Sequence, residues 1–205
     1  ICTGIAVVII PIVCLYLLQC LLVPKYASDI KEGAMIKEYY NSEKNHDVLI
    51  LGDCEVYENI STVTMWENYG ISSYIRGSAE QLIWQSYYLL EDTLKYEKPQ
   101  VVIVNVLAMT ESDAKNEAYN RMTLDGMKLS KYKIASIRES MTEEENMASY
   151  IFPLLRYHSR WSELSSEDFR YMWKTPSVTT NGYLMQKGVR PVKTIPKAAP
   201  LANYT

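Results

Sequence analysis

Asp47-Val-Leu-Ile-Leu-Gly-Asp-Cys-Glu55 is a short, continuous apolar run that ends in a glycine followed by polar residues. Such a run is typical of a strand buried on both faces, as in a parallel sheet. The loop from Gly52 to Glu55 would then lie at the carboxyl edge of the sheet, where ligands of open α/β sheets bind. A helix that begins soon after this loop would favour a thiolate or an oxyanion there. The stretch therefore predicts an α/β domain with a site at this loop.

The sequence downstream alternates between helical and strand patterns. The elements predicted next are a helix over 61–69, a strand over 71–75, a helix over 80–97 and a buried strand over 101–106. Strand, helix and strand at this spacing imply right-handed crossovers and a parallel sheet covered on both faces. The rest is mostly helical, with helices predicted over 111–119, 131–140, 142–155 and 165–173. No element is predicted after Thr175.

Upstream, residues 1–23 contain no charged side chain. About 20 apolar residues, rising about 1.5 Å each, cross a bilayer core. We therefore expect a transmembrane anchor over 1–23, a connecting helix over 24–46 and an α/β domain over 47–205 whose C-terminal part is missing. A cleaved signal peptide is the alternative, but the run is long for one and no small-x-small site ends it.

Composition excludes several classes of function. The net charge of -3 gives no global indication of nucleic-acid binding. Cys2, Cys14 and Cys20 lie in the apolar segment, so Cys54 has no partner in the domain and no disulfide framework is expected. The sequence has neither a metal-ligand cluster nor a phosphate-binding loop. We therefore expect no metal and no other cofactor.

The stretch Leu49-Ile-Leu-Gly-Asp-Cys-Glu-Val-Tyr57 resembles the first block of SGNH/GDSL hydrolases, a strand followed by Gly-Asp-Ser. More particularly, it is similar to their membrane-anchored branch in Gram-positive bacteria. The resemblance continues through the segments 73–78, 84–92, 117–126 and 152–161. It implies a flavodoxin-like three-layer fold. It also implies a distant relationship to proteins of teichoic-acid D-alanylation and alginate acetylation. It also implies a location at the plasma membrane with the soluble domain outside the cytoplasm, although the flanking charges do not fix the orientation.

The resemblance also implies roles for individual residues. Cys54 stands where the family has its nucleophilic serine, and Gly77 matches the glycine whose amide helps hold the oxyanion. Asn105 matches the asparagine of a third block, which is otherwise degraded here. Gly52, Asp53 and Glu55 would support the loop. Asn105 is also notable because an asparagine within an apolar strand needs polar partners; a structural asparagine bonded to a neighbouring loop is the alternative.

Other residues near these motifs have weaker assignments. Arg76, beside Gly77, is a candidate for binding an anionic substrate, with a surface salt bridge as the alternative. Arg121 and Asp125 are candidates for lining the cleft, but no chemical role is assigned to them. The family's base comes from an Asp-x-x-His block, which does not occur in these 205 residues. His46 is expected at the opposite edge of the sheet, and His158, at a helix end among arginines, is expected to be structural or on the surface.

Two functions follow as expectations. The first is an esterase or acyltransferase that acts on acyl groups of a cell-envelope glycan or polymer, with Cys54 attacking the ester. The second is a membrane-tethered relative that binds glycan or protein and has lost its chemistry, because cysteine in place of serine can also indicate loss of activity. An Asp-x-x-His block in later sequence would favour the enzyme.

Overall fold

The domain is organised around three parallel strands, β1 Val48–Gly52, β2 Ser73–Gly77 and β3 Val101–Val104, in the order β2-β1-β3. The computed structural model describes residues 2–26, 31–110 and 116–185. All five residues of β1 are buried, which fits a central strand between two helical layers. The predicted α/β fold with a parallel sheet is therefore confirmed.

Short and medium helices surround the sheet. They are α1 Cys2–Leu22, α2 Met35–Glu38, α3 Cys54–Asn59, α4 Thr62–Tyr69, α5 Ile83–Thr93, α6 Glu117–Leu124, α7 Lys131–Ser140, α8 Met147–Ile151, α9 Leu154–Tyr157 and α10 Ser166–Arg170. The 3-10 turns are Lys31–Ala34, Tyr39–Asn41, Val106–Thr110 and Arg160–Glu163. The helix predicted over 24–46 is thus a series of short turns; residues 27–30 lie outside the described part.

The two faces of β1 belong to two different apolar clusters. Leu49 and Leu51 pack with Leu89 of α5 and Ile137 of α7. Ile50 points the other way and packs with Ile75 and with the start of α3. Because successive side chains of a strand point to opposite faces, the continuous apolar run supplies both clusters at once.

The structure corrects the predicted boundaries of β2. Ile71 was expected to begin the strand, but its N–H donates to the Met65 carbonyl and so belongs to the end of α4. Gly70 ends that helix in the left-handed conformation, with φ of 67°. The strand consequently runs two residues beyond its predicted end, and Arg76 and Gly77 are its last residues.

β3 is also different from its prediction as a buried strand. Val101, Val102 and Ile103 are 51%, 38% and 42% exposed. The reason is that β3 pairs only with β1 among the described residues, so it forms an edge of the sheet. In the part of the chain that the structure describes, the other side of this apolar edge has no strand paired with it.

The predicted helices differ mainly at their ends. The helix over 131–140 is confirmed, with the Ser130 side chain accepting from the Lys133 N–H as its cap. The helix predicted over 142–155 is two short helices, because Pro153 disfavours helical geometry in the residue before it. The helix predicted over 111–119 has wrong bounds in the described part: α6 begins at Glu117, after its cap Asn116, and runs on to Leu124, and residues 111–115 lie outside the described part. The helix predicted over 165–173 ends at Arg170.

The apolar N-terminal segment forms α1 and contains Pro11. Among the residues that the structure describes, no helix combines the length and the apolar character needed to cross a membrane. The anchor over 1–23 therefore stays a prediction.

Candidate functional site

The loop after β1 is shaped by Asp53. Its side chain accepts a hydrogen bond from the Glu55 N–H at 3.0 Å and caps α3, so that Cys54 is the first residue of that helix. An aspartate at this position satisfies one of the N–H groups that a helix start leaves without a partner. The chain thus turns directly from strand into helix, with the half-buried Cys54 at the turn.

Asn105 connects the loop to the neighbouring strand. Its backbone N–H donates to the Leu51 carbonyl at 2.9 Å, and its side-chain Nδ2 donates to Asp53 Oδ1 at 2.8 Å. Its Oδ1 accepts from the Leu107 N–H at 2.9 Å. The asparagine therefore holds the ends of β1 and β3 together, which gives it the partners that a residue in this position needs.

The glycines at this edge allow the ends of the three neighbouring strands to lie very close together. Gly52 and Gly77 are register partners at the ends of β1 and β2. A Cβ atom at Gly52 would lie 2.6 Å from Asn105 Cβ, and one at Gly77 would lie 2.7 Å from the Gly52 carbonyl oxygen. Since the three strands are neighbours, Cys54, Gly77 and Asn105 share one edge of the sheet, as expected. Their roles stay predictions.

Beside Cys54 lies a cavity of about 230 Å³. Its lining residues are Asp53, Cys54, Glu55, Glu80, Gln81, Leu107 and Ala108. Gly77 and Asn105 are not among them; they lie next to the cavity, beside the loop at the same edge of the sheet. Sequence reasoning did not find Glu80, whose φ of 54° turns the chain after β2. No local pattern indicates this conformation, which is uncommon outside glycine.

The electrostatics of the loop oppose a thiolate. Burial raises the pKa of the Cys54 thiol, and the carboxylates of Asp53, Glu58 and Glu55 raise it further. Only the backbone at the start of α3 lowers it. The helix start therefore acts on the thiol pKa in the expected direction, but burial and three negative charges outweigh it.

Arg76 does not face this loop. Its side chain is buried on the face of the sheet that α5 covers, where it donates to the Leu89 carbonyl at 3.0 Å, Thr93 Oγ1 at 2.8 Å and Asp92 Oδ2 at 3.3 Å. Neighbouring side chains of a strand point to opposite faces, so adjacency to Gly77 does not bring Arg76 to the site. The role suggested for it, binding an anionic substrate, does not fit this position.

Neither histidine lies near Cys54. His46 precedes β1 at the opposite edge, as expected, and its buried Nδ1 lies 2.8 Å from Glu97 Oε2. His158 is exposed at the end of α9, with Nδ1 2.9 Å from the Leu155 carbonyl oxygen.

Arg121 and Asp125 form an ion pair at 3.1 Å that is largely buried. Within the described residues, no three His, Cys, Asp or Glu side chains are grouped to hold a metal ion.

Comparison of the chain with protein-family models, with curated proteins and with solved structures gives no match. What stands is an α/β fold with a small parallel sheet and a cysteine loop at its carboxyl edge.

Proposed function

We propose that this chain is part of a membrane-anchored SGNH-type esterase or acyltransferase that acts on acyl groups of a cell-envelope glycan or polymer. The observation that supports this best is the meeting of Cys54, Gly77 and Asn105 at one edge of a parallel sheet. They come from three separate strand ends, yet Asn105 touches Gly52 and donates to Asp53. The resemblance to Gly-Asp-Ser hydrolases assigns a nucleophile and two oxyanion donors to these same three residues.

In the proposed reaction Cys54 Sγ attacks the carbonyl carbon of an ester. The sulfur–carbon bond forms, the thiol proton passes to a base, and the carbonyl electrons move onto an oxyanion. The amides of Cys54 and Gly77 and the Asn105 side chain would hold that oxyanion. The side-chain nitrogen of Asn105, Nδ2, has two hydrogens, and its hydrogen bond to Asp53 uses one of them. The ester C–O bond then breaks, and the alcohol leaves with the proton.

The base has to come from outside the described residues. The raised pKa of Cys54 means that the thiol stays protonated at neutral pH without one. The apolar, exposed edge of β3 suggests where a base could enter, because a strand pairing there would end beside Asn105. The resemblance implies a histidine on such a later strand, in an Asp-x-x-His block.

The negative charge around the Cys54 loop favours a second function. Cys54 is surrounded by carboxylates, and Asn105 Nδ2 already donates to one of them. These contacts suit an inactive SGNH-like module that is tethered to the membrane and binds glycan or protein. The cavity would then hold a ligand without turning it over.

The test is acyl transfer to Cys54. The purified full chain is incubated with p-nitrophenyl acetate, and mass spectrometry follows an acetyl group at Cys54 that hydroxylamine removes. We expect the acetylated peptide in the unmodified chain and none in Cys54→Ala. Turnover should require a longer chain that contains the base, since loss of one member of such a set typically costs several orders of magnitude.

Cys20→Ala is the matched control, because Cys20 lies outside the loop and its loss should leave the label at Cys54 unchanged. Acetylation spread equally over all cysteines would contradict a specific nucleophile and favour the binding module. Turnover by the 205-residue chain that equals turnover by a longer one would contradict the requirement for a separate base.

A further inference from the structure

Helix α1 is apolar on all sides. From Cys2 to Leu22 it contains no charged residue. Val7, Ile10 and Ile12 are at least 60% exposed, and Val13, Leu15 and Tyr16 are also exposed. A helix that is apolar all round is normally covered by protein or by lipid. Within the described residues, protein does not cover the exposed side chains of α1.

The C-terminal half of α1 packs against the domain through apolar and aromatic side chains. Phe152, Leu154 and Leu155 line a groove of about 480 Å³ together with four residues of the helix, which are Ile12, Leu15, Tyr16 and Gln19. Trp173 lies beside the helix, with its ring centroid 6.4 Å from that of Tyr16. This part of the domain therefore continues the apolar surface of the helix.

The polar contacts that the structure describes between α1 and Arg160 or Lys25 lie at the C-terminal end of the helix. Arg160 donates to the Leu22 carbonyl at 2.6 Å, and Lys25 donates to the Cys20 carbonyl. Positive charges at a helix C-terminus complement its dipole. Tyr16 lies six residues before Leu22, about 9 Å along the axis, and Ile12 lies about 15 Å before it. The surface thus changes from polar to apolar over about 10 Å.

The domain side of this surface is rich in exposed aromatic side chains. Phe152, Leu155 and Trp173 are 61%, 58% and 64% exposed although they lie next to α1. Trp161, which follows the Arg160 that contacts Leu22, and Phe169 in α10 are exposed as well. Soluble surfaces seldom concentrate large apolar side chains in this way. We call Phe152, Leu155, Trp161, Phe169 and Trp173 the aromatic face.

We propose that the aromatic face is a lipid-binding surface, which lies in the interfacial layer of a bilayer alongside α1. Tryptophan is enriched at this depth because its ring is apolar and its N–H is polar. Lipid is favoured over a second copy of the chain because the face continues an uncharged helix and ends at Arg160 and Lys25, where headgroups would lie. The domain would then rest on the membrane instead of standing away from it.

Bromines on lipid acyl chains quench nearby tryptophans and so test the depth of this face. The full chain is reconstituted at low protein-to-lipid ratio into phosphatidylcholine–phosphatidylglycerol vesicles, with and without brominated chains. The chain has four tryptophans, of which Trp161 and Trp173 lie on the face. We expect Trp173→Phe to reduce the quenched emission about twofold, because it removes one of the two tryptophans within reach of the bromines.

Trp66→Phe is the matched control. Trp66 is 62% exposed, nearly as much as Trp173, but it lies on α4, away from α1. Its loss should leave the quenched emission unchanged. Equal quenching in the unmodified chain and in Trp173→Phe would overturn the proposal, as would a loss of quenching in Trp66→Phe. Burial of the face by a second copy would leave Trp173 unquenched, and a chain that does not float with vesicles would also overturn it.

Discussion

The loop at Cys54 and the network around Arg76 are both polar, but their groups are partnered very differently. Arg76 is enclosed: it bonds three groups of α5, and its guanidinium lies 4.2 Å from the centre of the Tyr39 ring. Cys54 lines an open cavity among carboxylates that raise the pKa of its thiol. The comparison teaches that charge alone does not identify a site. A group that is enclosed by its partners serves the fold, whereas one that lines a cavity is accessible to a ligand.

The largest effect is expected from breaking the Arg76 network. Arg76→Met leaves the Asp92 carboxylate buried, with its buried cationic partner removed and only the half-exposed Lys95 still paired with it. Loss of one partner from a buried ion pair typically costs about 3–5 kcal/mol, and urea unfolding would measure it. Lys95→Met is the control, because Lys95 also pairs with Asp92, at 2.6 Å, but its side chain is 37% exposed. We expect it to cost less than about 1 kcal/mol.

A double variant separates lost charge pairing from lost packing. In Arg76→Met with Asp92→Leu the orphaned carboxylate is gone, so the double variant should be more stable than Arg76→Met alone. If it is equally unstable or less stable, packing of the guanidinium on the tyrosines holds this region together.

A smaller effect is expected at the carboxyl edge itself. Gly77→Ala places a Cβ 2.7 Å from the Gly52 carbonyl oxygen, a backbone atom that cannot rotate away. Overpacking of this kind costs about 1–3 kcal/mol. It should also displace the loop, so the rate of Cys54 alkylation should change along with the urea midpoint.

Gly70→Ala is the control for Gly77→Ala. A Cβ at Gly70 has no neighbour within 4 Å, but the residue has a φ of 67°. It should cost about 1 kcal/mol through the backbone alone and leave Cys54 alkylation unchanged. Altered alkylation in Gly70→Ala would mean that the thiol reports global stability and not the loop.

The two regions should also respond differently to acid. Burial alone would raise the pKa of Asp92, but hydrogen bonds from Lys95 and Tyr40 and the charge of Arg76 outweigh it, and the pKa is lowered. A lowered folded-state pKa contributes stability above the unfolded pKa of about 3.9, and this is lost as pH falls through the folded value.

Urea midpoints between about pH 5 and pH 2 measure this contribution. The midpoint of Asp92→Asn should be lower at pH 5 but should fall less steeply with acid than that of the unmodified chain. Identical slopes in the two chains would contradict a lowered pKa at Asp92.

Local patterns predicted part of this fold. The apolar run at 48–52 predicted a strand buried on both faces, and the pattern over 131–140 predicted α7, because these signals act within a few residues. The burial of Arg76 could not be predicted, since its enclosure comes from Tyr39, Tyr40 and α5, which are distant in sequence. The exposure of β3 depends on which strands pair with it. The position of Glu80 beside the cavity depends on its unusual backbone φ.

The smallest effect concerns the thiol itself. The chain carrying Cys2→Ala, Cys14→Ala and Cys20→Ala leaves Cys54 as its single cysteine, so its alkylation by iodoacetamide can be followed against pH. Because burial and the carboxylates of Asp53, Glu58 and Glu55 raise the Cys54 pKa, the midpoint should lie above that of an ordinary cysteine, about 8.5. Glu55→Gln and Glu58→Gln should each lower it by removing a negative charge, whereas Glu67→Gln on exposed α4 should not. A midpoint below that of a free thiol would mean that a cationic group outside the described residues reaches the loop, and the open cavity would then be a complete site.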